Sequence, residues 1–256
     1  MVRLDLSDVC VRYPIYATSR QRSILGFAAN RASFGRLARD AGRIPVVNAL
    51  NGVTFSLQQG DRLALVGRNG SGKTTMLKLC SGLILPDSGE IEVEGARACI
   101  INPGAGLDHD KTGFENVEMM GRLLGISRVG RRLLADDVAD FTELGDFLNL
   151  PVRTYSAGMT IRLLFAVATS VESDILIVDE VIGAGDAHFV EKAAKRIRAT
   201  FARAKILVLA THSGEIASQL CNQMLWLDAG RKVMLGEPRT VWDAYINQRP
   251  QLEAVA

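Results

Sequence analysis

Apolar runs with strand periodicity alternate along the chain with longer stretches of helical periodicity. Alternating or continuous apolar positions over a few residues are typical of strands, and a spacing of three to four residues is typical of helices. Residues 112–171 are helical in pattern throughout, beginning at a capping box formed by Thr112 and Glu115. This order of elements predicts an α/β core with a separate helical lobe. The predicted strands are residues 3–12, 53–57, 62–66, 90–93, 98–101, 175–178 and 206–210, and the other predicted helices include residues 73–81 and 241–246.

The composition narrows the class of protein. The chain has 256 residues, of which 48% are hydrophobic, so it can bury a sizeable core and is not disordered overall. Its formal net charge of +2 argues against binding nucleic acid through bulk charge. Its four cysteines lie far apart, which disfavours a disulfide framework or a metal cluster. No secretory signal is expected, and the most apolar helical stretch, residues 163–171, is shorter than the roughly 20 residues that span a bilayer.

A glycine-rich loop between a predicted strand and a predicted helix carries the clearest chemistry. It matches the pattern G-x-x-x-x-G-K-[ST], whose backbone N–H groups wrap a phosphate chain at a helix N-terminus. Lys73 is expected to reach the β- and γ-phosphates, and the Thr74 hydroxyl to bind Mg²⁺. A glycine-rich turn without a ligand is the alternative, which the flanking strand and helix disfavour. The predicted nucleotide-binding residues of the loop are Gly67, Arg68, Asn69, Gly70, Ser71, Gly72, Lys73, Thr74 and Thr75.

Two carboxylates follow the apolar strand at residues 175–178. Asp179 and Glu180 stand at its carboxyl end, which in P-loop enzymes faces the phosphates. Asp179 is therefore expected to hold Mg²⁺, and Glu180 to act as the general base that polarises the attacking water. Acidic caps on the next loop are the alternative, which the presence of the phosphate loop disfavours.

The order of these motifs resembles that of the ATP-binding-cassette family over nearly the whole chain. Tyr155-Ser156-Ala157-Gly158-Met159 is similar to the family's LSGGQ signature, which opens a helix ahead of the Asp-Glu strand. Asp186, which ends the segment Gly183-Ala184-Gly185-Asp186, resembles the aspartate of the D-loop. His212 resembles the switch histidine that senses the γ-phosphate, and Tyr13 resembles the aromatic residue that stacks on adenine.

This resemblance implies a fold and an activity. The fold is a P-loop NTPase cassette with an α/β core, an antiparallel β edge and a helical subdomain. The activity is hydrolysis of ATP with Mg²⁺ as cofactor, with Glu180 and His212 as catalytic residues. Ser156, Ala157 and Gly158 would form an anion site for the γ-phosphate of a nucleotide held by the opposite subunit. ATP would thereby join two copies of the domain head to tail.

The same resemblance implies a domain organisation. Residues 1–246 would form one nucleotide-binding domain, and residues 247–256 a short C-terminal tail. Within the domain, a helical lobe would occupy about residues 112–171, and a basic insertion about residues 17–43. No appended carbohydrate-binding domain is expected.

Several segments are similar to those of one branch of the family, the ATPases that export polysaccharides and teichoic acids. Pro103-Gly104-Ala105-Gly106-Leu107, followed by Thr112-Gly113-Phe114-Glu115-Asn116, resembles that branch's GAGF…LTGxEN run. Residues 155–159 with residues 165–170 resemble its YSxGM…FAVAT segment, and residues 12–16 its N-terminal motif. The branch resemblance implies the ATPase subunit of an exporter of a lipid-linked glycan. Such a subunit would work as a homodimer with a separate transmembrane permease, peripherally at the cytoplasmic face of the cell (inner) membrane and without nucleic acid.

Two departures from the family pattern affect the site. Ala157 and Met159 replace the glycine and glutamine of the usual signature, which removes a polar contact there. The glutamine of the Q-loop is also absent, and Asn102 is the amide side chain nearest to its position.

Other functions share parts of this pattern. A soluble cassette ATPase of translation or DNA repair would usually carry two cassettes or a long coiled-coil interruption, and this sequence has neither. A transporter ATPase for another cargo, such as a drug or lipid exporter or an importer, would share every nucleotide motif. An inactive regulatory module is disfavoured because Lys73, Asp179, Glu180 and His212 are all present.

The basic insertion lengthens the connection between the first two predicted strands. It carries six arginines against the single acid Asp40, and its apolar residues recur at helical spacing. Two surface helices with a solvated basic face are one interpretation. The other places these helices at the cytoplasmic membrane surface beside the permease, near anionic lipid or phosphorylated cargo.

Overall fold

The computed structural model describes residues 1–15, 37–39, 45–100, 107–170, 172–179 and 187–254. The chain forms two compact units. The first comprises Met1–Arg97, Ile177–Glu180 and Lys205–Ala256, and the second comprises Ala98–Leu176 and Val181–Ala204.

Strands dominate the first unit and helices the second. The strands are β1 (Arg3–Pro14), β2 (Leu37–Arg39), β3 (Pro45–Gln58), β4 (Arg62–Val66), β5 (Ser88–Glu94), β6 (Arg97–Ile100), β7 (Ile175–Val178), β8 (Ile206–Ala210), β9 (Gln223–Asp228) and β10 (Arg231–Gly236). The α-helices are α1 (Lys73–Ser81), α2 (Gly113–Leu123), α3 (Arg128–Thr142), α4 (Ala157–Ser170), α5 (Ala187–Arg203), α6 (Gly214–Leu220) and α7 (Pro238–Ala254), and the 3-10 helices are η1 (Gly145–Asn149) and η2 (Val152–Thr154).

An antiparallel sheet of four strands, in the order β2-β3-β1-β5, lies in the first unit. Leu4 of β1 is opposite Leu57 of β3, and Leu6 is opposite Phe55. All four side chains are buried, so the period-two alternation of β1 directs one face of the strand into the core. The predicted antiparallel edge is confirmed.

The second sheet has the strand order β10-β9-β4-β8-β7-β6. Its central strand β4 pairs in parallel with both β8 and β9. β7 and β8 are buried along their whole length and β4 along all but its first residue, as expected for parallel strands covered on both faces. Because the carboxyl ends of parallel strands meet at one edge, the loops after β4 and β8 start side by side. The predicted α/β class is confirmed.

The helices of the second unit enclose their own apolar core. Phe141 of α3, Phe165 of α4 and Phe189 of α5 form a ring cluster with centroid separations of 5.7, 5.5 and 6.2 Å. The Arg196 guanidinium of α5 lies 4.3 Å from the Phe141 centroid and forms an ion pair with Asp137 of α3. Aromatic packing and this cation–π contact therefore join three helices of the second unit. The helical pattern predicted from residue 112 onwards is interrupted by η1, η2 and the turns around them.

Two sequence predictions differ from the structure. Within the basic insertion, Leu37–Arg39 was expected to be helical and instead forms strand β2, so the prediction is wrong there. Leu37 pairs with Val47 and Ala38 with Val46, so backbone hydrogen bonding to β3 outweighs the apolar spacing. The other residues of the insertion lie outside the described ones. At the other end, α7 extends well beyond the expected helix at residues 241–246.

Within the part of the chain that the structure describes, no helix is long and apolar enough to cross a membrane.

Candidate nucleotide-binding site

The phosphate loop runs from the end of β4 to the first turn of α1. Gly67, Gly70 and Gly72 have φ angles of +150°, +78° and +111°, in the region that side chains disfavour. A Cβ atom on Gly67 would lie 2.2 Å from the Leu227 carbonyl oxygen and 2.6 Å from the Ser71 Oγ. The loop can therefore adopt this arch only with glycine at its first position.

The Lys73 ammonium group lies within the arch of the loop. Its Nζ donates hydrogen bonds to the carbonyls of Gly67 at 2.7 Å and Arg68 at 3.1 Å. The Ser71 Oγ is buried and has no hydrogen-bond partner among the described residues. A buried hydroxyl without a partner beside a fixed ammonium group fits an anionic ligand with several acceptor oxygens. Arg68, Asn69 and the first turn of α1 with Thr75 complete the loop.

Two oxygen ligands for a divalent cation lie close together beside this loop. The Thr74 Oγ1, in the first turn of α1, is 3.4 Å from the Asp179 Oδ2, directly after β7. A hydroxyl and a carboxylate are hard oxygen donors of the kind that Mg²⁺ prefers, with waters and phosphate oxygens as its remaining ligands. Among the described residues there is no cluster of three or more His, Cys, Asp or Glu side chains that would hold a metal by itself. This donor set therefore fits Mg²⁺ bound together with phosphate.

The segment after β8 places His212 at the same edge of the sheet. Thr211 is 1% exposed, and its backbone N–H donates to the Leu65 carbonyl of β4 at 3.2 Å. Its Oγ1 accepts from the Ser213 N–H at 3.0 Å, and the Ser213 Oγ in turn caps α6 by accepting from the Ile216 N–H. His212 is therefore held between an anchored residue and a helix cap, with its own side chain exposed.

The turn between β9 and β10 holds the phosphate loop through a contact that the sequence motifs do not predict. The Gly230 N–H, in the turn between β9 and β10, donates to the Ser71 carbonyl at 2.9 Å. The Gly230 carbonyl accepts from the Asn51 N–H of β3 at 2.8 Å. Ala229 and Gly230 have φ angles of +47° and +78°, typical of a two-residue hairpin turn. The signal was present in the sequence as Asp228-Ala229-Gly230-Arg231 between two apolar runs.

The signature segment lies in the second unit, at the start of α4. The Ser156 Oγ accepts from the Met159 N–H at 3.2 Å, which makes Ser156 the cap of this helix. Ser156 and Ala157 are exposed, and among the described residues the Ser156 Oγ, at 3.9 Å, is the one atom found within 4 Å of a Cβ added to Gly158. An open helix N-terminus with these features can receive an anion from solvent or from a second molecule.

The remaining predicted residues are placed as follows. Tyr13 lies near the end of β1, opposite Val47 of β3, and is 40% exposed. Glu180, Asp186 and Asn102 lie outside the described residues.

Comparison with known proteins identifies the family. The family model described as "ABC transporter" matches residues 50–183, a range that includes the phosphate loop, the signature segment and the Asp179-Glu180 pair. The chain belongs to the ABC transporter family. Its members bind and hydrolyse ATP to drive transport, so the nucleotide is ATP and the chain is an ATP hydrolase.

Relatives and solved structures agree with this assignment. The O-antigen export system ATP-binding protein RfbE of Yersinia enterocolitica is 42% identical over 90% of this chain and 96% of its own length. RfbB of Myxococcus xanthus is 36% identical over 93% of this chain, and the teichoic acids export protein TagH of Lactiplantibacillus plantarum is 35% identical over 95%. The chain spans only 55% and 64% of these two longer proteins. The dimeric post-hydrolysis structure of the ATP-binding cassette MJ0796, bound to ADP and Pi, has a TM-score of 0.68 at 20% identity over 92% of this chain and 99% of that one.

In this ABC transporter ATPase, some of the predicted site residues lie close together within one unit, and others lie in the other unit. Lys73, Thr74 and Asp179 lie together in the first unit, and His212 follows the strand next to β4. The signature residues belong to the second unit.

Replacing Gly230 by alanine is expected to destabilise the phosphate loop. The new Cβ would lie 2.6 Å from the Ala49 carbonyl oxygen and would require a positive φ. We expect a loss of roughly 1–3 kcal/mol in unfolding free energy, together with weaker ATP binding because the Ser71 carbonyl loses its fixed donor. Denaturant titration and binding of a fluorescent ATP analogue measure the two effects.

Gly125→Ala is the matched control for this variant. Gly125 has a φ of +71°, and no atom of the described residues lies within 4 Å of an added Cβ, so a substitution there carries the backbone strain without the collision. Equal effects on ATP affinity in the two variants would contradict a specific role of the Gly230 turn.

Proposed function

We propose that this chain is the ATPase subunit of a membrane exporter that carries a lipid-linked polysaccharide of the O-antigen, capsule or teichoic-acid type. The observation that carries the proposal is the likeness to the O-antigen export protein RfbE along nearly the full length of both chains. The likeness to TagH and RfbB supports the same class of cargo, because both are also named for export of cell-surface glycans.

The catalytic unit is a head-to-tail homodimer. The phosphate loop offers a pocket for an anion in one unit of the chain, while the exposed N-terminus of α4 offers a second anion site in the other. The Ser156 hydroxyl and the N–H groups of Ala157 and Gly158 bind the γ-phosphate of ATP held by the partner subunit, so ATP closes two composite sites. The dimeric state of the MJ0796 cassette is consistent with this arrangement.

Each residue of the site has a distinct role in this proposal. Lys73 binds the β- and γ-phosphates, Thr74 and Asp179 hold Mg²⁺, and Tyr13 stacks on adenine. Mg²⁺ supplies neutralisation of charge on the phosphate oxygens. Glu180 accepts the proton of the attacking water, and His212 contacts the γ-phosphate. Asp186 contributes to the contact between the two subunits.

The transport pathway belongs to a separate permease. The chain acts peripherally, at the cytoplasmic face of the cell membrane, where ATP is available. Residues 1–246 form one nucleotide-binding domain with a helical lobe at about 112–171, and residues 247–256 form a short C-terminal tail that begins within helix α7.

Complementation between two inactive variants tests the composite site. Ser156→Arg is expected to abolish ATP-dependent dimerisation while ATP affinity of the monomer stays near that of the wild type, because an arginine fills the anion site on α4. Lys73→Ala loses ATP binding in its own loop but keeps an intact signature. A mixture of the two proteins would contain one intact composite site per mixed dimer. Analytical ultracentrifugation should therefore detect recovered dimer in the mixture, and full ATPase activity of a monomer would contradict the proposal.

Reconstitution tests the cargo. The chain is purified with the membrane protein that co-purifies from native membranes and is placed in vesicles that contain either a polyprenyl-linked glycan or the bare polyprenyl phosphate. Stimulation of ATP hydrolysis by the glycan-linked lipid alone is expected. Stimulation by a drug or by phospholipid instead would favour another exporter. ATPase activity stimulated by ribosomes or DNA would favour a soluble cassette protein.

A further inference from the structure

The residue before the signature serine is joined to a distant part of the second unit through its hydroxyl group. The Tyr155 hydroxyl donates a hydrogen bond to the Phe147 carbonyl at 2.7 Å. The same oxygen lies against Gly113, the first residue of α2. The tyrosine hydroxyl therefore links the start of α2 to the start of the signature segment.

The fit around this hydroxyl leaves no room for a side chain on Gly113. A Cβ atom there would lie 2.4 Å from the Tyr155 hydroxyl oxygen, 3.0 Å from the Leu148 Cδ2 and 3.2 Å from the Leu148 Cα. Gly113 is buried and has no positive φ, so the reason for glycine is space and not backbone conformation. Gly113 and Tyr155 are consequently a matched pair, 42 residues apart in the sequence.

The loop ahead of α2 is fixed to the same place. The Asn116 side chain is fully buried, and its Nδ2 donates to the carbonyls of Asp108 and Thr112 at 2.9 Å each. The Val152 N–H of η2 donates to the Lys111 carbonyl at 2.9 Å, and Thr112 forms a β-bridge with Pro151. The loop at residues 108–112, the start of α2 and η2 are therefore joined by hydrogen bonds into one body. Tyr155 directly follows η2 in the chain and directly precedes Ser156.

The phenol keeps its proton under working conditions. Burial raises the pKa of the Tyr155 hydroxyl above its usual value, although the nearby Gly113 backbone N–H acts in the opposite direction. The group is thus neutral at physiological pH and can donate to the Phe147 carbonyl.

We infer that Tyr155 is a positioning residue that holds the Ser156 anion site of α4 in a fixed orientation relative to the start of α2. The inference rests on the proposed function, in which Ser156 binds the ATP of the partner subunit. Ser156 is exposed, and its Oγ accepts a hydrogen bond from the Met159 N–H of its own helix, whereas the side chain of its neighbour Tyr155 is fixed at the far end of its ring by the bond to the Phe147 carbonyl. Loss of the hydroxyl releases the segment without removing any group that contacts the nucleotide.

Dimerisation of the full chain with a non-hydrolysable ATP analogue tests this inference. Tyr155→Phe is expected to raise the dissociation constant of the ATP-bound dimer roughly five- to twenty-five-fold, since one hydrogen bond is lost in each of the two subunits and each loss weakens an interaction by about a factor of five. ATP affinity of the monomer should be unchanged. Thr154→Val is the matched control, because it deletes a hydroxyl whose 2.7 Å bond to the Pro151 carbonyl stays within η2 and its cap.

A double mutant separates positioning from a general loss of stability. Gly113→Ala alone is expected to reduce dimerisation more than Tyr155→Phe, because the new methyl group collides with the hydroxyl oxygen. Adding Tyr155→Phe to Gly113→Ala should restore dimerisation to that of Tyr155→Phe alone within about twofold, an estimate that allows for the remaining Leu148 contacts. If the double variant dimerised no better than Gly113→Ala, the pairing of Gly113 with the Tyr155 hydroxyl would be wrong. This comparison remains valid if Gly113→Ala alone fails to fold, because the double variant is then expected to regain folding.

The outcomes also distinguish this inference from the proposed function. Wild-type dimerisation of Tyr155→Phe together with loss in Ser156→Arg would overturn the positioning role and leave the composite site intact. Wild-type dimerisation of Ser156→Arg would overturn the proposed function itself. Equal weakening by Tyr155→Phe and Thr154→Val would mean that any disturbance of η2 has this effect, which contradicts a specific role of the tyrosine.

Discussion

We expect the Glu180→Gln variant to bind ATP with nearly wild-type affinity and to hydrolyse it about 10²–10⁴-fold more slowly, the range typical of the loss of a general base. Glu180 directly follows Asp179, whose carboxylate lies 3.4 Å from the Thr74 hydroxyl, and the amide of glutamine keeps the size of the side chain but not its basicity. Because hydrolysis is slowed and binding is kept, the variant should accumulate as an ATP-bound dimer. Phosphate release and size-exclusion chromatography with ATP measure both effects.

Two controls define this experiment. Glu172→Gln makes the same change at an exposed carboxylate ahead of β7 and should leave the rate unchanged. Lys73→Ala should lose nucleotide binding, so its inactivity has a different cause. Near wild-type turnover of Glu180→Gln would remove Glu180 from the role of general base.

The elements that surround the phosphate loop could be predicted closely from the sequence. The strands at residues 62–66, 175–178 and 206–210 have the predicted bounds, because buried parallel strands are continuous apolar runs. Helix α1 ends at Gly82, whose φ of +79° is the left-handed C-cap that glycine favours. The capping box of Thr112 and Glu115 is also confirmed, because its two residues lie within the first turn of the helix that they cap. In each case the signal lies within a few residues of the element that it specifies.

Contacts between distant segments could not be predicted in this way. Strand β2 forms because its backbone pairs with the edge of β3. The spacing of its own apolar residues is helical and does not indicate this pairing. The bond from Gly230 to the Ser71 carbonyl joins residues far apart in the chain, so the glycine could be recognised as a turn but not as a support of the loop. The pairing of Gly113 with Tyr155 has the same character. Gly113 and Tyr155 belong to two separate sequence motifs, and their close packing in the structure explains why they occur together.

The candidate site likewise contains residues that local motifs predict and an orientation that depends on contacts between distant segments. Lys73, Thr74 and Asp179 could be assigned from local motifs because the chemistry of phosphate and Mg²⁺ requires those groups at a strand end and a helix start. The orientation of Ser156 depends on the body formed by η2, the loop at residues 108–112 and the start of α2. That body is built from backbone carbonyls and N–H groups, which any residue could supply, so its sequence signal is confined to Gly113, Asn116 and Tyr155.

The magnesium assignment leads to the second large effect. Asp179→Asn keeps the shape of the side chain and removes the charge that would bind the cation, and we expect ATP hydrolysis to fall by about 10²-fold or more, because a bound metal supplies several kcal/mol of charge stabilisation. ATP affinity measured in excess chelator should be the same in the variant and the wild type, and the gain in affinity on adding Mg²⁺ should be lost only in the variant. The matched pair Thr74→Ser and Thr74→Val extends the test to the other ligand: serine keeps the hydroxyl and should retain activity, whereas valine, of similar shape, should behave like Asp179→Asn. An equal loss of ATP affinity with and without Mg²⁺ would instead mean that Asp179 supports the loop structurally, through its 3.4 Å contact with Thr74, and does not bind the metal.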